Sequence, residues 1–173
     1  MSEIITPGLE VFVSGSVREI DEVQALQAEL EQLGCVLAHD WTTTRETMLA
    51  GKENKLAHPE EAARRAQLDL EAAARCDAFV YVAPQDPAHA PGTMVMELGA
   101  AVGARIARRS ANLPVTPDIY FLGRFQNAGR LLLGYFSPEI TVVETRLELF
   151  DRLGALTLAG RIPQGGQQSS DRS

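Results

Sequence analysis

The segment Gly92-Thr93-Met94-Val95-Met96-Glu97-Leu98-Gly99-Ala100-Ala101 sets one carboxylate, Glu97, among apolar residues at the start of a helix. Carboxylates are seldom buried without a partner or a task. A buried Glu97 suits nucleophilic or electrostatic work on a developing cation. The plainer alternative is a boundary residue that reaches water or answers the helix dipole. A second carboxylate, Asp69, lies between Leu68 and Leu70 in Arg64-Arg65-Ala66-Gln67-Leu68-Asp69-Leu70-Glu71. It is either drawn inward or solvated and paired with Arg65 one turn earlier. Asp77, just before a strand-like run, reads most simply as a strand-end hydrogen-bonding group.

Two further groups carry recognition chemistry. Ser14-Gly15-Ser16-Val17-Arg18 follows an apolar run. Gly15 permits close backbone approach, Ser16 adds a hydroxyl beside the N–H groups of the coming helix, and Arg18 brings a planar cation. Together they would make a cradle for an oxyanion or phosphate. The alternative is Ser16 as an N-cap beside a surface arginine. Trp41, the single tryptophan, would either stack on a planar base or plug the space beneath a loop. The turn is neither a P-loop nor a full GxGxxG, so the usual dinucleotide fingerprint is not supported.

These residues need a frame. Leu9 to Ser14, Cys35 to Ala38, Ala78 to Ala83, Asp118 to Leu122 and Glu139 to Val143 read as strands. Helical spacing joins Ile20, Val23, Leu26, Leu30 and Leu33 and stops at Gly34. An Ala-rich helix runs from Pro59 to about Arg75, a third from Gly92 or Thr93 to about Arg109, and a fourth from about Glu144 to Leu158. Strands alternating with helices predict parallel pairing, and near-continuous apolar strands predict a sheet covered on both faces. The expected fold is an α/β, five-stranded, parallel, doubly wound sandwich of three layers, flavodoxin-like or Rossmann-like. One domain is expected over 1–159, with 160–173 as a polar, disordered tail. The loops Asp40 to His58 and Gly123 to Pro138 are longer than the fold requires, and long loops in compact domains are usually functional. Ligands of such sheets bind outside the carboxyl ends of the strands, where Ser14 to Arg18, Trp41 and the loop before Glu97 fall.

A length of 173 residues, with 45% hydrophobic and 23% charged, fits one ordinary globular domain. A net charge of −7 argues against a binder of nucleic-acid polymers, though not against a single nucleotide in a local basic pocket. No apolar run approaches a membrane span, and no leader-like start is visible, so a cytoplasmic protein is expected. Cys35 and Cys76 read as buried free thiols, and His39, His58 and His89 are too scattered to suggest a metal. No cofactor is expected.

The ordered set Val11-Phe12-Val13-Ser14-Gly15-Ser16-Val17-Arg18, Asp69-Leu70-Glu71, Cys76-Asp77-Ala78-Phe79-Val80, Gly92-Thr93 and Glu97-Leu98-Gly99-Ala100-Ala101 resembles the nucleoside 2-deoxyribosyltransferase family. In its first turn it is most similar to that family's nucleoside 5′-monophosphate N-glycosidases. The resemblance spans roughly residues 9–125. It implies cleavage of a base–sugar bond with transfer to a base or to water, in a homodimer or higher homo-oligomer with sites near the subunit interface. It assigns Glu97 as nucleophile, Asp69 as the carboxylate assisting proton transfer, and Gly15, Ser16 and Arg18 as the phosphate-side turn. Phe12, Trp41, Gly92 and Thr93 are expected to complete the substrate pocket.

Two departures stand out. Many members carry a tyrosine in the first strand where this chain has Phe12, which predicts a carboxylate short of one donor and relaxed selectivity for the 2′-deoxy sugar. Pro91 replaces an acidic residue that some transferases hold six positions before the glutamate. Asn127 is a loose match to a group supplied by a neighbouring subunit. The other functions open to this sequence are a nucleotide-binding sensor or scaffold without turnover, and a hydrolase of NAD or a related signalling nucleotide.

Overall fold

Five short apolar runs pair in parallel to make one sheet: β1 (Glu10–Ser14), β2 (Val36–Leu37), β3 (Ala78–Val82), β4 (Asp118–Leu122) and β5 (Ile140–Val143), in the spatial order β2-β1-β3-β4-β5. Among the described residues, four helices join or follow them: α1 (Ile20–Gln32), α2 (Pro59–Arg75), α3 (Met94–Ser110) and α4 (Arg146–Gly160). The structure, a computed structural model, describes residues 8–44, 57–84, 94–124 and 137–160. The predicted α/β sandwich is present, and the strand order is the flavodoxin-like one. No helix among the described residues is long and apolar enough to cross a membrane.

The strands are apolar on both faces because both are covered. Val11, Phe12, Val13, Phe79, Val80 and Tyr81 are each 1% exposed or less. Side chains alternate along a strand and match across a parallel register. Ser14 pairs with Tyr81, Phe12 with Phe79 and Tyr81 with Phe121, so these residues share one face. On it the Phe12 and Phe79 rings stack at 5.9 Å, and those of Tyr81 and Phe121 at 5.4 Å. Helices α2 and α3 pack together above this aromatic layer. Helix α1 covers the other face beside α4, and Arg146 of α4 bonds Glu29 of α1 at 2.6 Å.

Local chemistry sets the ends of the elements. Gly34 has φ 93°, its N–H donates to the Glu31 carbonyl, and the Cys35 N–H donates to the Leu30 carbonyl. This pairing closes a helix with a left-handed glycine, as the sequence predicted. Pro59 opens α2 in its first turn. Asp77 accepts a hydrogen bond from the Glu10 N–H at 2.9 Å, at the amino end of the sheet, and so has the strand-end role expected of it. Arg105 of α3 bonds Asp118 and the Val115 and Pro117 carbonyls. It also bonds Glu139, which Arg109 shares, and these contacts tie α3 to the starts of β4 and β5.

The long loops are described only in part. After β2, a short 3-10 turn spans Trp41–Thr44, and Asp40 caps it by accepting from the Thr42 N–H at 2.9 Å and the Thr42 hydroxyl at 2.6 Å. The expected tail lies outside the described residues apart from Gly160.

Candidate active site

Reversal of winding places the crevice of this sheet between β1 and β3, where the chain turns to β2 on one side and to β4 on the other. Glu97 stands there, in the first turn of α3 and only 8% exposed. The Oγ of Ser14, the last residue of β1, donates to its Oε2 at 2.5 Å. Burial pushes the Glu97 carboxyl up to about 7; the Ser14 hydroxyl opposes this by favouring the ionised form, and the charge of Asp69 adds to it. Of the two sequence readings of Glu97, the buried one holds.

Asp69 lies within electrostatic reach. Burial raises its pKa, and the neighbouring His39 works the other way. His39 Nε2 stands 3.4 Å from Asp69 Oδ1, a charge contact without hydrogen-bond geometry. Of the two readings of Asp69, the inward one holds: the solvated pair with Arg65 does not form, and Arg65 Nε bonds Glu61 at 2.6 Å. The fold therefore gathers a carboxyl from α2, a carboxyl from α3, a hydroxyl from β1 and an imidazole from the end of β2. Two carboxyls whose surroundings raise both pKa values suit one that attacks or stabilises and one that carries a proton.

Gly15, Ser16 and Arg18 lie beside this group, after Ser14. A Cβ at Gly15 would meet Val23 Cγ2 at 2.5 Å, so the backbone approach that this glycine permits is that of α1. Ser16 caps the 3-10 turn Val17–Glu19 by accepting from the Arg18 N–H at 3.2 Å, and the Arg18 side chain is exposed. Ser16 thus has the capping role, and its hydroxyl proton remains able to donate.

Two expectations need correcting. Trp41 is 8% exposed and its indole N–H donates to the Val13 carbonyl at 2.7 Å, so it plugs the end of β1 rather than offering an open stacking face. Phe12 is fully buried against Phe79, one pleat below Ser14. The carboxylate expected to lack a donor has one, because Ser14 supplies it, and relaxed sugar selectivity no longer follows from Phe12. Gly92, Thr93, Pro91 and Asn127 lie outside the described residues.

Sequence reading did not single out Ser14, His39 or Tyr81. A polar residue closing an apolar strand was a visible signal for Ser14. His39 was visible only as one of three scattered histidines, and nothing local linked it to Asp69.

A cavity of about 230 Å³ opens at the carboxyl ends of β3 and β4 on the opposite sheet face, with Val82, Leu122, Gly123, Glu22 and Arg146 in its lining. Its charges are matched, Arg146 by Glu29 and Glu22 and Arg124 by Glu144. Its lining contains neither Glu97 nor Asp69. The chemistry therefore points to the Glu97 side of the sheet.

The Ser14 contact makes a signed prediction. Ser14→Ala removes the hydrogen bond that favours ionised Glu97, so the carboxyl should titrate about one pH unit higher. The group facing Glu97 from α2 is Asp69, and that from β3 is Tyr81; both remain in the variant. Titration of Glu97 by carboxyl-selective NMR in wild type and variant checks it. An unchanged or lower value would show that the short contact does not govern ionisation.

Compared with protein-family models and with curated proteins, the chain matches none.

Proposed function

We propose that this protein cleaves the N-glycosidic bond of a nucleoside or nucleoside 5′-monophosphate, with Glu97 as nucleophile and water or a second base as acceptor. The observation that carries the reading is the buried Glu97 carboxyl, bonded to Ser14 and electrically coupled to Asp69 at the β1–β3 crevice. Departure of a base from C1′ builds an oxocarbenium-like centre, which a carboxylate in a water-poor site stabilises or traps. Asp69, with its raised pKa, protonates the leaving base and later activates the acceptor, and His39 tunes its charge. The reading carries with it a small-molecule ligand, a homodimeric or higher assembly and a cytoplasmic setting.

The test is chromatographic detection of free base after incubation with ribo- and deoxyribonucleosides, their 5′-monophosphates, and NAD. Release from the first two groups supports the proposal. Release from NAD alone would favour the signalling-nucleotide hydrolase. Saturable binding with no release from any of them would leave a sensor.

Arg18 stands for the 5′-phosphate end. An exposed guanidinium next to the Ser16 turn offers planar donors to a phosphate. Arg18→Ala should raise KM for a 5′-monophosphate by about tenfold, the loss of one charge-assisted contact, and leave KM for the matching nucleoside nearly unchanged. Equal effects on both substrates would remove the phosphate role.

A further inference from the structure

Tyr81 closes the aromatic layer below the site. It is 1% exposed, its ring stacks on Phe121 with planes 21° apart, and it lies in register with Ser14. Its hydroxyl is buried and has no hydrogen-bond partner among the described residues. Burial, and then the charges of Glu19 and Glu97, push its ionisation upward, so the phenol stays a donor at every working pH. A buried hydroxyl with no acceptor is costly. Packing alone does not call for it, since Phe12, Phe79 and Phe121 fill the same layer without one. The hydroxyl occurs on the ring beside the Ser14–Glu97 pair, at the carboxyl edge where a ligand of this sheet would lie.

We infer that Tyr81 contacts substrate, its hydroxyl donating a hydrogen bond to an oxygen of the sugar held against Glu97. The inference rests on the proposed glycosidic cleavage, which puts the sugar at this carboxylate. A bound sugar supplies the acceptor that the fold withholds, so the unsatisfied donor is part of the binding free energy rather than of folding. The contact acts on substrate and not through Glu97, to which the Tyr81 hydroxyl makes no hydrogen bond.

The experiment compares full-length wild type with Tyr81→Phe, using the nucleoside or 5′-monophosphate from which wild type releases base fastest. The variant should melt at the wild-type temperature or above it, because it loses no internal bond. Its kcat/KM should fall about tenfold to a hundredfold, and the acid limb of its kcat/KM profile should stay where the wild type has it. Unchanged kinetics in the variant would overturn the inference while base release by wild type kept the parent reading. A lower melting temperature would make the hydroxyl structural, and a displaced acid limb would make Tyr81 a positioning residue acting through Glu97; either overturns substrate contact. Wild type releasing no base from any of these substrates would remove the parent reading, and this inference with it.

Discussion

Glu97→Gln is expected to cut base release by at least about a hundredfold and, above pH 7, to make the protein more stable than wild type. The activity loss follows from removing the charge that meets the developing cation, an effect of about that size where a preorganised electrostatic partner is lost. The stability gain follows from linkage. Glu97 rises from an ordinary value of 4.5 to about 7 in the folded protein, chiefly through burial. Between those values the folded state binds more protons than the unfolded state, so stability falls as pH rises through this window. At about 1.4 kcal/mol per pH unit the cost reaches about 3 kcal/mol above pH 7 and vanishes below about 4.5.

Glutamine keeps the shape and can still accept from Ser14, yet carries no charge. Denaturant melts at pH 4 and pH 8, alongside base-release assays, check both halves. A variant that is active sinks the nucleophile. A variant less stable than wild type at pH 8 would show that the carboxylate is not a buried cost but a structural anchor. Stability sacrificed at one residue for activity is the usual pattern of a working site.

Gly15→Ala should destabilise the protein by about 1–3 kcal/mol, the typical result of forcing a methyl group into a packed core. The new Cβ would lie 2.5 Å from Val23 Cγ2 and 3.6 Å from Val82 Cβ. Val23 is fully buried, and its branched side chain has little rotamer freedom to retreat. Shortening that neighbour should relieve the clash, so Gly15→Ala with Val23→Ala should cost less than the two single changes added together. Denaturant melts of the four proteins give the coupling, expected at about 0.5–3 kcal/mol. Strict additivity would mean that α1 does not set the limit at Gly15. The result bears on function because this close approach aims the turn carrying Ser16 and Arg18 at the crevice.

Much of the architecture followed from local pattern. Apolar runs separated by helical periodicity required a parallel sheet covered on both sides, since such strands bury both faces. Gly34 and Pro59 marked helix ends because their backbone preferences act within a turn. Boundaries moved where hydrogen bonding decided them: β2 shortened to Val36–Leu37, and α4 began at Arg146 rather than Glu144. For Asp69 the sequence left two readings open, because a one-turn spacing allows a partner without choosing it. Arg65 bonded Glu61, and Asp69 met His39.

The sequence by itself determined that Glu97 sits in an apolar setting at a helix start and that the residues after the strands face one edge. Only the tertiary structure decided which groups meet there. Ser14 and Glu97 are 83 positions apart, and their bond depends on β1 lying beneath α3. Tyr81 joins them through strand register, a relation between chain segments that no local spacing encodes. Gly15 and Trp41 changed meaning for the same reason: each residue type permits a ligand or a neighbour, and the packed fold supplied the neighbour first.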